Sequence, residues 1–120
     1  MRAFALTICL RDKPGVISRY ESLHRDVWPG VVARMHQVGI ESMRIWRSGN
    51  RLFMHVEAVD GFEPDRDFRA IDEDPLSRRW NDVMRELQER APEAQDGVWW
   101  APMELVFDTA WSAQPSDVGR

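Results

Sequence analysis

The stretch Tyr20-Glu-Ser-Leu-His24-Arg-Asp-Val-Trp28-Pro29 constrains this chain most, because it cannot be one straight helix. Tyr20, His24 and Trp28 recur at intervals of four, which on an α-helix stacks side chains along one face. Pro29 lacks an N–H, and in a helix interior its ring meets the preceding turn, but it fits a first helical position. The spacing therefore predicts a helix over Val16 to Asp26, a joint at Val27-Trp28, and a second helix from Pro29 to Val38. Gly39 is placed to cap that second helix. Tyr20 and His24 then lie side by side next to a bend, where polar groups reach a cavity more readily than on a straight helix.

Around this joint the period changes. From Ala3 to Leu10, Phe4, Leu6, Ile8 and Leu10 alternate with Ala3, Ala5, Thr7 and Cys9, a strand pattern. Arg11 to Gly15 is turn chemistry. The inward stripes are Val16, Tyr20, Leu23 and Val27 on the first helix, then Val31, Val32, Met35 and Val38 on the second. Ser42–Arg47 and Arg51–Ala58 read as two strands joined by Ser48-Gly49-Asn50, which supplies the positive φ of a hairpin turn. Val59 to Asp74 reads as an acidic loop with a turn of helix near Phe68 to Ile71. Asp74-Pro75 pairs an N-cap residue with proline at the first position, and Leu76, Trp80, Val83, Met84 and Leu87 continue at helical spacing to Arg90. Val98 to Phe107 reads as the last strand, on which Trp99 and Trp100 cannot both face inward.

That order is β, broken α, hairpin, α, β: an α+β, ferredoxin-like βαββαβ domain over residues 1–109, with a flexible tail over 110–120. Helices on one face leave the other bare, which predicts a homodimer with its two sheets face to face.

Composition excludes more than it selects. At 120 residues and 43% hydrophobic the chain can bury a real core. Sixteen basic and twenty acidic residues are interspersed, with no basic cluster, which argues against nucleic acid as a partner. The single Cys9 rules out an internal disulfide framework and reads as a small core residue. No apolar run approaches the ~20 residues of a membrane span, so the expectation is a soluble cytoplasmic protein without a membrane partner. No nucleotide-binding glycine motif or nucleophile elbow is present, and no pair of histidines has metal-ligand spacing. His24 is the best acid/base candidate by its ordinary pKa; the same spacing also suits a helix-end histidine that merely complements the dipole. His36 reads as solvent-exposed and His55 as a plain strand position.

At these residues the chain resembles the sugar mutarotase family typified by L-rhamnose mutarotase, from Arg2 to Phe107. The likeness rests on Arg2-Ala-Phe4, Tyr20-x3-His24-x3-Trp28-Pro29, Asn50-Arg-Leu-Phe-Met-x-Val-Glu57, Arg79-Trp80 and Met103-Glu-Leu-Val-Phe107. The resemblance implies a dimeric α+β barrel that interconverts the α and β anomers of a 6-deoxy-hexopyranose without metal or organic cofactor. It implies His24 as general acid, Tyr20 as a substrate-binding residue and Trp80 stacked on the sugar or its C6 methyl; Trp28 reads as a structural residue of the corner and a candidate wall of the pocket. Two positions depart from the rhamnose pattern: Met43 stands where that group has tyrosine, and Asn81 where it has a second tryptophan. Both would alter which hydroxyls are accepted. The run from Gly39 to Leu52 is also similar to members assigned to L-fucose, which places L-fucose first and L-rhamnose second as the monosaccharide. Rival readings are a cofactor-free monooxygenase or lactone isomerase on a similar barrel, a non-catalytic sugar-binding module, and a plain dimerisation domain.

Overall fold

Alternation in the first segment becomes β1 (Arg2–Leu10), and the computed structural model, which describes residues 1–111, builds the domain around it. The broken helix follows as α1 (Val16–His24) and α2 (Pro29–Gln37). Then come β2 (Ile40–Ser48), β3 (Arg51–Ala58), α3 (Pro64–Ile71), α4 (Pro75–Leu87), β4 (Gln88–Glu89) and β5 (Ala101–Pro102), before a 3-10 turn at Thr109–Trp111. The sheet order is β2-β3-β1-β4, with β5 also on β1, and every pairing is antiparallel. The fold is α+β with a ferredoxin-like sheet. The tail expected over 110–120 lies outside the described residues from 112 onward.

Register decides which side chains face the helices. β1 and β3 pair Phe4 with Val56, Leu6 with Met54 and Ile8 with Leu52, while β2 pairs Met43 with Val56 and Ile45 with Met54. Residues directly opposite share a face, so these form the inner surface. One core joins Ile8, Leu10 and Leu52 to Val16, Tyr20, Val31, Trp80, Met84 and Leu87. A second joins Ile40, Val56 and Ala58 to Phe62 and Ile71. The outer face carries Ala3, Ala5, Thr7, Phe53, His55, Glu57 and Trp46, and among the described residues the buried strand residues of both cores lie on the opposite, inner face.

The helices start where local chemistry starts them. α4 opens on Pro75, and the Asp74 carboxylate accepts from the Ser77 backbone N–H at 3.0 Å and its hydroxyl at 2.9 Å. Between α2 and β2, Gly39 has φ +106°, and a Cβ there would sit 2.8 Å from Val59 Cγ2. No helix among the described residues is long and apolar enough to cross a membrane.

Four expectations change. The first helix stops at His24, two residues before Asp26. The region read as a loop with one helical turn is a full helix, α3, held by Phe68 and Ile71 against the second core. Val32 is not in the packed core, where Val31 takes the position; it is 38% exposed and borders the cavity described below. The strand expected over Val98–Phe107 shrinks to Ala101–Pro102. The β1 edge is shared instead: the chain pairs at Gln88–Glu89, leaves, and returns at Ala101. Arg90 closes that excursion by donating to the carbonyls of Val98 at 2.9 Å and Gln95 at 2.7 Å. Pro102 has no N–H for a ladder, and only Met103 N–H to the Ala5 carbonyl, at 2.8 Å, extends the pairing.

Candidate active site

The joint at Trp28-Pro29 places the end of α1 over the sheet, and the side chains there line a cavity of about 1220 Å³. Of the six residues singled out in the sequence, Tyr20, His24, Met43, Trp80 and Asn81 all border it. Trp28 borders neither this cavity nor a smaller one beside Trp46; it packs edge-on against Trp80 at 5.1 Å, behind the indole that reaches the cavity. The chain leaves the helix after His24, so Trp28 does not continue the stack of Tyr20 and His24.

Tyr20 and His24 stack at 4.0 Å with their rings 28° apart, as the four-residue spacing predicts, and Trp80 meets the imidazole edge-on at 5.4 Å. His24 Nδ1 lies 2.8 Å from the Tyr20 carbonyl. A carbonyl only accepts, so Nδ1 carries the proton and donates it. In the neutral ring Nε2 then holds a free lone pair, and it has no hydrogen-bond partner among the described residues. Burial pulls the His24 pKa below the ordinary 6.5, and the carbonyl contact offsets part of that. The resting imidazole is therefore neutral at pH 7, with Nε2 able to accept a proton.

Tyr20 is 4% exposed, and its hydroxyl has no well-formed hydrogen bond among the described residues. Desolvation raises its pKa far above the ordinary 10.0, with a smaller opposing effect from the nearby Gln88 side chain. The Gln88 side chain is a neighbour of the hydroxyl and not a bonded partner. The phenol stays protonated and offers an O–H to whatever enters.

Asn81 is partly committed, because its amide nitrogen donates to Asp72 Oδ1, leaving the carbonyl oxygen for a ligand. Four further side chains line the cavity. Gln88 and Arg85 continue the α4 face of Trp80, Asn81 and Met84 into the cavity. Trp99 and Trp100 both border it, contrary to the strand argument, because their segment is a loop and not a strand. The helical spacing of Gln88 from Trp80 and Met84 was a usable signal; the loop at Trp99 had none. Among the described residues no group of three His, Cys, Asp or Glu side chains gathers as a metal site.

The structure is a ferredoxin-like α+β domain with a neutral histidine, an unionised phenol and indoles around one cavity. The family follows from direct comparison. A family model described as L-rhamnose mutarotase matches residues 3–109, and the chain belongs to that family of carbohydrate isomerases. An L-fucose mutarotase of Xanthomonas campestris is 31% identical over 109 residues, 89% of this chain and 87% of that one. A UPF0734 protein of Dictyostelium discoideum is 35% identical over 117 residues, 94% of each chain. The crystal structure of an L-rhamnose mutarotase from Formosa agariphila superposes with a TM-score of 0.67 at 18% identity, over 90% of this chain and 98% of that one, and supports the fold.

Proposed function

We propose that this enzyme interconverts the α and β anomers of L-fucose, with L-rhamnose the second substrate, and that His24 carries the proton. The observation behind the assignment is the Nδ1 bond to the Tyr20 carbonyl, which leaves Nε2 as a free base on the cavity wall. Ring opening removes the proton from the anomeric hydroxyl as the bond from C1 to the ring oxygen breaks and the C1 carbonyl forms. Both oxygens are attached to C1, so one Nε2 serves both: it takes the hydroxyl proton, then returns it to the ring oxygen. Rotation about C1–C2 and the reverse transfers close the other anomer. His24 is thus the base on entry and the general acid on exit, a role worth about 10²–10⁴-fold. Tyr20 donates its O–H to a sugar oxygen, and Trp80 gives the apolar edge on which the ring or its methyl rests.

The substrate order rests on Met43 and Asn81. Both border the cavity, and they replace a hydroxyl and an indole of the rhamnose pattern with a thioether and an amide. L-Fucose and L-rhamnose differ at C2 and C4, so such a change alters which configuration is satisfied. Proton NMR saturation transfer between the anomeric signals, with each sugar at equal concentration, tests the order. Faster exchange for L-fucose supports it; faster exchange for L-rhamnose alone reverses it.

The working form in this proposal is a homodimer. Trp46, 50% exposed, lies tilted on Phe53 at 5.5 Å on the uncovered face. Beyond Met103, Leu105, Val106 and Phe107 are 65%, 82% and 63% exposed. A second copy would cover both surfaces. Sedimentation at micromolar concentration should give twice the chain mass, and a monomer would refute the assembly.

A further inference from the structure

Gln88 is a buried amide on an otherwise apolar face. It is 5% exposed, ends α4 in extended backbone (φ −96°, ψ 157°), and pairs across to Leu10, which is 1% exposed. Opposite residues in an antiparallel pair point to one face, so Gln88 shares the inner face with Leu10 while Glu89, opposite Cys9, points away. The backbone is fixed by this bridge and by Arg11 N–H donating to the Leu87 carbonyl at 2.9 Å. The side chain borders the same cavity as Tyr20, His24 and Trp80, so its amide faces whatever the cavity holds. Beside it stands the Tyr20 hydroxyl, a buried oxygen without a hydrogen-bond partner among the described residues.

The buried Tyr20 oxygen is costly unless a ligand satisfies it, because buried donors and acceptors are almost always bonded, and the Gln88 amide beside it borders the same cavity with bonding capacity of its own. A carboxamide offers two N–H donors and a carbonyl acceptor, and a phenol adds one O–H. A sugar hydroxyl is at once donor and acceptor, and so completes both. We propose that Gln88 is a substrate-binding residue that, with Tyr20, holds a ring hydroxyl and so selects the hydroxyl configuration that the cavity accepts. This rests on the mutarotase reading above. A site built to bond a hydroxyl rejects the sugar that presents it wrongly, since the amide is then buried unpaired. Gln88 follows the end of α4 and borders the same cavity as Trp80, so a hydroxyl held there adds a second anchor to the ring besides the indole.

The test measures anomer exchange over a range of L-fucose and L-rhamnose concentrations for wild type, Gln88→Met and Gln88→Glu. Methionine keeps the length and removes every hydrogen bond; glutamate keeps the acceptors and removes the donors. The expected result for Gln88→Met is KM for the preferred sugar raised about tenfold, kcat changed less than about threefold, and the preference between the sugars reduced. Gln88→Glu should lower the preference as well, and it stands in if the methionine variant fails to fold. Unchanged KM and preference in a folded variant, beside an active wild type, would overturn the role of Gln88 alone. A wild type inactive on both sugars would overturn the mutarotase reading and this role together.

Discussion

Removing the Tyr20 hydroxyl should make this protein more stable and less active. The ring is 4% exposed and belongs to the main core, so Tyr20→Phe keeps its packing. What it removes is a buried O–H without a protein partner. Leaving such a group unpaired costs about 1–3 kcal/mol, and the nearby Gln88 amide recovers part of that, so the variant should gain about 1 kcal/mol. For a domain of 120 residues that corresponds to roughly 3–6 °C in Tm. Urea unfolding with unchanged slope is the assay for the gain, and anomer exchange for the loss, which should be about tenfold in kcat/KM. The pairing of opposite signs is the informative part, since a site strained for function behaves so and a structural hydrogen bond does not. Tyr20→Phe that is less stable with full activity would refute the reasoning and make the hydroxyl structural.

His24→Ala should retain fold and lose about 10²–10⁴-fold in exchange rate, checked by circular dichroism beside saturation transfer. Because the folded-state pKa of His24 lies below 6.5, kcat/KM should be flat near neutral pH and fall on acidification, with a midpoint below 6.5; a midpoint above it would contradict a neutral resting base. The same shift bears on stability: the unfolded chain binds the His24 proton first, so this contribution is full above 6.5 and is lost as pH falls through the folded pKa, as a urea series against pH would show. Gly39→Ala should destabilise by about 1–2 kcal/mol, since it forces a Cβ into positive φ and toward Val59, and a neutral result in urea unfolding would remove that account.

Signals that were local in sequence survived folding. The four-residue step put Tyr20 on His24, proline opened α2 and α4, and the Gly49 turn closed the hairpin. What was illegible depended on partners far along the chain. The edge of β1 is shared by Gln88 and Ala101, a register that no local pattern carries, and Trp99 and Trp100 reach the cavity together only because the segment between leaves the sheet. α3 was understated because its Asp65, Asp67 and Arg69 look like loop, while its helical face is set by contact with Phe62 and the second core. Trp28 shares the spacing of Tyr20 and His24, yet α1 ends at His24 and Trp28 packs edge-on against Trp80. Periodicity ranks faces within one element and does not survive a break between two.

The most direct test of the central claim, that His24 moves the proton of an anomeric hydroxyl, is saturation transfer on L-fucose with wild type and His24→Ala side by side. The account predicts exchange well above the uncatalysed rate with wild type and near it with the variant. Full exchange in folded His24→Ala, or none with wild type on either sugar, would contradict it.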